Sequence, residues 1–120
     1  MINIHFSFKT KPGMKLEFLQ TIGSIIIDLH KGEGCINIDL QQDDQDKDQF
    51  NLRLDWQNIK LIKALLKRNE YDIFEGALKV LCKDPSVEVS GVEKKTIKIE
   101  EFNMKGINLY ERIRYEFMDD

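Results

Sequence analysis

Cysteine, long apolar runs and an excess of charge of one sign are all scarce in this chain, and each scarcity excludes something. Only Cys35 and Cys82 are present, in no spacing that suits a metal. They read as two reduced, buried thiols rather than as a disulfide. Apolar runs stop at three residues, as at Ile25-Ile26-Ile27, too few to span a bilayer. The start, Met1-Ile2-Asn3-Ile4-His5, lacks the basic residues and long apolar stretch of a signal peptide, so a cytoplasmic location is expected. The formal charge is only −3, with Lys and Glu interspersed. No nucleic acid and no membrane is therefore expected as a partner. There is no phosphate-cradling glycine loop, nucleophile elbow, zinc pair or dinucleotide fingerprint. Asp43 to Asp48 is acidic but lacks the central glycine and terminal Glu of a calcium loop, and reads as a solvated turn.

What is present is the material of one globular domain: 120 residues, 42% apolar and 32% charged, enough to bury a core. Ile2-Asn3-Ile4-His5-Phe6-Ser7-Phe8 alternates without a break and predicts a half-buried strand. Lys11-Pro12-Gly13 ends it, with proline placed in the first turn of a helix. Phe18, Leu19, Ile22, Ile25, Ile26 and Leu29 make one apolar stripe over Met14 to His30, stopped at Gly32-Glu33-Gly34. Cys35 to Leu40 and Phe50 to Trp56 alternate again, and the short link between them predicts an antiparallel hairpin. Asn58 is a candidate cap for a helix through Ile62 and Leu66. A polar break at Arg68-Asn69-Glu70 precedes a second helical piece through Tyr71, Phe74, Leu78 and Leu81. Asp84-Pro85-Ser86 is expected to terminate it. Val87-Glu88-Val89 and Thr96 to Ile99 give a last strand or strand pair.

The order strand, helix, strand, strand, helix, strand is the α+β, ferredoxin-like split pattern, an antiparallel sheet with helices on one face. After Phe102 the pattern changes. Asn108 with Glu111 resembles a capping box, and Ile107, Tyr110, Ile113 and Phe117 form a narrow apolar stripe. Residues 1–102 are thus expected to form the domain and 103–120 a C-terminal helical extension, packed either on its own chain or on a partner.

Side-chain alternation divides the sheet. Ile2, Ile4, Phe6, Phe8, Ile36, Ile38, Leu40, Phe50, Leu52, Leu54 and Trp56 belong beneath the helices. Asn3, His5, Ser7, Cys35, Asn37, Asp39, Asn51, Arg53 and Asp55 belong on the reverse, polar face. In a ferredoxin-like sheet the first and third strands are adjacent and central, which makes His5 and Arg53 candidate neighbours. A wet sheet face without a ligand is the alternative.

Lys11-Pro12-Gly13 before a helix, Gly32-Glu33-Gly34-Cys35 at a strand start, and Trp56-Gln57-Asn58 closing the third strand together resemble the antibiotic-biosynthesis-monooxygenase family. The resemblance covers Ile2 to Phe102. It implies a homodimer whose sheets close face to face as a dimeric α/β barrel, each subunit holding a pocket between sheet and helices. It also implies oxidoreductase chemistry in some members: cofactor-independent oxidation of a small aromatic or quinol substrate, through a phenol anion that reduces oxygen directly. Trp56 matches the Trp that closes the third strand, and His5 stands where haem-degrading relatives carry an Asn. Glu75 stands about where those relatives carry an axial His, and Leu65 where the family often has His or Trp. No haem, metal or other cofactor is therefore expected.

The resulting expectation places His5 and Arg53 in catalysis, His5 as base or hydrogen-bond donor and Arg53 paired with a phenolate or carboxylate. Asn3, Asn37, Asn51 and Trp56 are expected to contact a small aromatic or quinone-like molecule in the same pocket. A non-catalytic dimeric binding or interaction module of the same fold is the alternative, and a monomer with an open polar sheet a third reading.

Overall fold

The computed structural model describes residues 2–31, 34–92 and 95–99. Along them run β1 (Ile2–Thr10), α1 (Lys15–Lys31), β2 (Cys35–Gln42), β3 (Gln49–Trp56), α2 (Ile59–Leu66), α3 (Asn69–Leu81), β4 (Cys82–Val92) and β5 (Lys95–Ile99). The sheet is antiparallel throughout, in the order β2-β3-β1-β4-β5. The expected α+β ferredoxin-like arrangement is therefore observed, with β1 and β3 central. The last segment is a strand pair, and the sheet of the single chain is open. The proposed extension at 103–120 lies outside the described residues.

The alternation in β1 is realised residue by residue, with Ile2, Ile4, Phe6, Phe8 and Thr10 buried and the positions between them half-buried. In α1, Phe18, Ile22, Ile25 and Leu29 supply the buried stripe. Phe6 meets Phe74 of α3 edge-on at 5.1 Å, and Phe8 meets Phe18 at 4.7 Å between centroids. Each such ring buries enough apolar area to stabilise the fold by roughly 1.5–3 kcal/mol. These contacts hold both long helices onto β1.

Three local features differ from the sequence expectation. Pro12 precedes the helix: the Met14 amide donates to the Lys11 carbonyl at 3.0 Å, and Gly13 has φ +79°. This is the Pro-Gly pairing of a type II turn, whose third residue requires positive φ. Pro85 does not separate α3 from the next strand, since α3 passes directly into β4 at Cys82. Instead, Asp84 (φ +46°) and Pro85 together oppose Phe8, a bulge between the Ser7–Ser86 and Lys9–Lys83 pairs. A bulge is one of the few places within a sheet that tolerates proline's missing N–H.

The third feature is a bulge at Ile36. Cys35 pairs with Trp56 and Asn37 with Asp55, leaving Ile36 unpaired and 46% exposed. Ile36 is therefore not beneath the helices. Cys35, expected on the polar face, packs against the core instead.

The candidate functional site

Two separate regions result, one on each side of the sheet. On the polar face, β1 and β3 set His5 directly opposite Arg53 and Asn3 opposite Asp55. β2 adds Asp39 beside Arg53 and Asn37 beside Asp55. β4 adds Glu88 beside His5. The central row therefore reads Asp39, Arg53, His5, Glu88, with charges of both signs flanking the imidazole. His5 Nε2 lies 2.9 Å from Asn51 Oδ1. A carbonyl oxygen only accepts, so Nε2 donates in this contact. Asp55 accepts from the side-chain amides of Asn3 and Asn37, which ties β1, β3 and β2 together. Arg53 is exposed and makes no hydrogen bond or ion pair among the described residues.

The structure thus brings together His5, Arg53, Asn3, Asn37 and Asn51. It does not bring Trp56 to them. Trp56 pairs with Ile2 on the helix side and is 3% exposed. The six residues expected around one molecule divide between opposite faces of the sheet, because Arg53 and Trp56 are an odd number of residues apart on one strand.

Beside Trp56, the ends of α1 and α2 stand off the sheet and leave a cavity of about 380 Å³, lined by Leu29, Lys31, Trp56, Leu61, Ala64, Leu65 and Arg68. That volume suits a one- or two-ring molecule. The indole N–H of Trp56 is buried without a hydrogen-bond partner, an arrangement that costs about 1–3 kcal/mol. Arg68 Nη1 donates to Asp28 Oδ2 at 2.8 Å, which fixes the α2–α3 corner against α1. Asn58 caps α2 by accepting from the Leu61 amide at 3.2 Å.

Gly34 closes this end of the molecule. Its φ is +96°, and a Cβ there would lie 2.2 Å from Leu61 Cδ1. The Gln57 amide donates to the Gly34 carbonyl at 3.0 Å. Only glycine allows the β2 start to pass so close to α2. Cys35, next in sequence, has its thiol pushed up to about 11 by burial, and further by the negative charge of Asp55. A thiol so shifted is a poor nucleophile at neutral pH.

Sequence reasoning missed Lys31 and Arg68 on the cavity wall, and Glu88 beside His5. Arg68 read only as part of a helix break. Glu88 sits in a clear alternation, but its neighbour is known only once strand order and register are known. Glu75, singled out in the sequence, is buried on α3 and ion-paired to Lys79 at 3.1 Å.

An open antiparallel sheet in this order, helices on one face and a Trp-walled cavity between sheet and helices define an α+β domain of the ferredoxin-like class. Residues 1–74 match the family model "Antibiotic biosynthesis monooxygenase", and the chain belongs to that family. It is similar in fold to a crystal structure of an antibiotic biosynthesis monooxygenase: TM-score 0.69, 14% identity, covering 76% of this chain and 97% of that one. A Deinococcus radiodurans protein bearing the same family name superposes with TM-score 0.66 at 18% identity, covering 91% and 98% of the two chains. A conserved protein from Methanosarcina mazei Go1 gives 0.68 at 18% identity, over 73% and 88%. No curated protein matches the chain. At these identities the structural likenesses establish the fold alone.

Proposed function

We propose that this protein binds a small acidic aromatic or quinone-like molecule, as its anion, in the cavity beside Trp56. The observation that carries this reading is a cavity of about 380 Å³ walled by Trp56, Leu29, Leu61, Ala64 and Leu65, with the cations Lys31 and Arg68 in the same lining. Aromatic surface would pack against the indole and the leucines and replace the contacts the cavity lacks. Among the described lining residues the only ionisable side chains are Lys31 and Arg68, both cations. Neither accepts a proton from a neutral phenol at neutral pH. The ligand therefore arrives already ionised; Lys31 favours its charge, and Arg68 adds to this while its guanidinium is also held by the Asp28 carboxylate.

Turnover, in this reading, is oxidation by dioxygen without metal or flavin. A phenolate with an open ring position becomes a quinone: one oxygen atom of dioxygen enters the ring and the other leaves as hydroxide, which takes a proton from solvent to become water. The lack of a base among those lining residues equally favours a binding module that performs no chemistry. We assign His5 and Arg53, with Asn3, Asn37 and Asn51, to a second polar patch where a further copy of the chain closes. His5 would act as a base only on a molecule enclosed between two such faces.

The chain has one tryptophan, so Trp56 fluorescence reports directly on the cavity. Titration with 2-hydroxy-1,4-naphthoquinone should quench it saturably, at least tenfold more tightly than neutral 1,4-naphthoquinone. Equal affinities would remove the role of the cations, and no saturable change with either would remove the site. Oxygen uptake with a panel of quinols and catechols separates the enzyme from the binding module. Unchanged uptake in His5→Ala excludes His5 as the base.

A further inference from the structure

We infer that a second copy of the chain closes on the polar sheet face about a two-fold axis running along β1 through His5, so that Arg53 of each copy pairs with Glu88 of the other. The pairing rests on that face being closed by a further copy, as proposed above, and fixes which residues meet and in which orientation.

Charge on this face is arranged about His5. β3 and β4 flank β1, and the register sets Arg53 beside His5 on one flank and Glu88 beside it on the other. The two opposite charges stand in one row, two strand spacings or about 10 Å apart, with the imidazole between them. Neither makes an ion pair among the described residues. Other surface carboxylates do find cations: Asp46 holds Lys9, Asp48 holds Lys15 and Asp28 holds Arg68.

Symmetric association is reciprocal: where one residue meets a second across the axis, the second also meets the first. Two axes in the plane of this face pass through His5. An axis across the strands sets Arg53 on the partner's Arg53 and Glu88 on the partner's Glu88, and like charges so opposed repel. An axis along β1 exchanges the flanks, so that Arg53 meets the partner's Glu88 and Glu88 the partner's Arg53. His5 meets its own copy under both axes and does not choose between them.

The neighbouring rows agree with the axis along β1. Asn3 is flanked by Asp55 and Ser90, and Ser7 by Asn51 and Ser86. Exchange of flanks brings the Asp55 carboxylate to the partner's Ser90 hydroxyl, a donor, and the Asn51 amide to the partner's Ser86. No like charges are opposed in these rows of the three strands. Stacked sheets lie about 10 Å apart, a gap that an arginine and a glutamate reaching from opposite sides close as a charge-assisted hydrogen bond.

Sedimentation equilibrium over a wide range of concentration tests this by charge reversal. Arg53→Glu and Glu88→Arg should each weaken dimerisation roughly tenfold or more, because each opposes like charges on both sides of the axis. Mixed in equal amounts, the two variants should associate with one another. Arg53→Glu and Glu88→Arg combined in one chain should dimerise about as tightly as the parent. Circular dichroism checks that each variant folds; where one does not, Arg53→Gln and Glu88→Gln replace it and each should still weaken the dimer. A parent that dimerises while single reversals change nothing, or a combined reversal as weak as the single ones, overturns the pairing but leaves the face to a second copy. A parent that stays monomeric throughout overturns both. Ligand binding beside Trp56 is read separately, by the fluorescence titration.

Discussion

Arg53 and Trp56 lie three residues apart on β3 and face opposite sides of the sheet, Arg53 among the polar row with His5 and Trp56 beneath the helices. A β-sheet is a barrier one backbone thick, and a molecule seated against the indole does not touch the guanidinium of the same chain. The two groups serve different surfaces, and substitutions at one should leave the other's behaviour intact.

Trp56→Phe separates stability from binding. The change removes a buried N–H that has no partner while keeping most of the ring. Relief of the unpaired donor offsets the smaller buried area, so unfolding free energy should change by less than about 1 kcal/mol. Affinity for the naphthoquinone anion should fall about tenfold, equivalent to about 1.4 kcal/mol. Urea denaturation gives the first quantity. The second needs a reporter other than tryptophan, such as calorimetry. A variant that binds as tightly as the parent removes the indole from recognition.

Gly34→Ala should destabilise the protein by about 1–3 kcal/mol, because a side chain there is strained at φ +96° and overlaps Leu61. Leu61 also lines the cavity, so ligand binding should weaken along with stability. Gly34→Ala, Leu61→Ala in combination should recover part of the loss. Additive losses in the double variant would show that the close approach is not the cause.

Alkaline pH should unfold the protein by a route that runs through two buried acids. Burial, with the charge of Glu75 adding to it, holds the Tyr71 hydroxyl well above its ordinary value of 10.0. Burial likewise pushes the Cys82 thiol from 9.0 up to about 12, against a small opposing pull from Lys11. Both groups stay protonated in the folded chain while the unfolded chain loses its protons. Their contribution is complete below pH 9 and declines as pH rises, first through Cys82 and above 10 through Tyr71 as well. Each proton steepens the fall by about 1.4 kcal/mol per pH unit. Tyr71→Phe should remove one proton's worth of slope above pH 10 and leave stability at pH 7 within about 1 kcal/mol of the parent. Urea midpoints between pH 8 and 11 measure both. A slope unchanged by the substitution would exclude Tyr71 as a contributor.

Alternation carried most of the fold into view. Ile2 to Phe8 and Phe50 to Trp56 announce both their strands and their faces, because period two leaves no other way to bury Phe6 and Leu52 together. The capping role of Asn58 was equally legible. What could not be read were departures from periodicity. The extra residue at Ile36 moves Cys35 to the core side, yet nothing in Cys35-Ile36-Asn37 marks a bulge, since strand alternation assumes an unbroken ladder. Pro85 signals an ending whether it follows a helix or interrupts a strand, and only the pairing of Ser7 with Ser86 tells which. The side on which Trp56 lies was implied by its parity, whereas the family resemblance set it beside His5. Lys31 and Arg68 meet the same cavity from two helices, a closeness set by tertiary packing that no local pattern encodes.

The bulge at Asp84 and Pro85 limits how β4 can pair at all. A strand that slides by two residues keeps every side chain on its proper face and so escapes the penalty that forbids a slip of one. Here such a slip would carry an imino acid into a ladder position that demands an amide hydrogen, and would ask Asp84 to keep its left-handed backbone where the partner strand is straight. β4 thus has one alignment on β1, and an assembling chain is spared a near-degenerate mispairing at the seam joining its two halves.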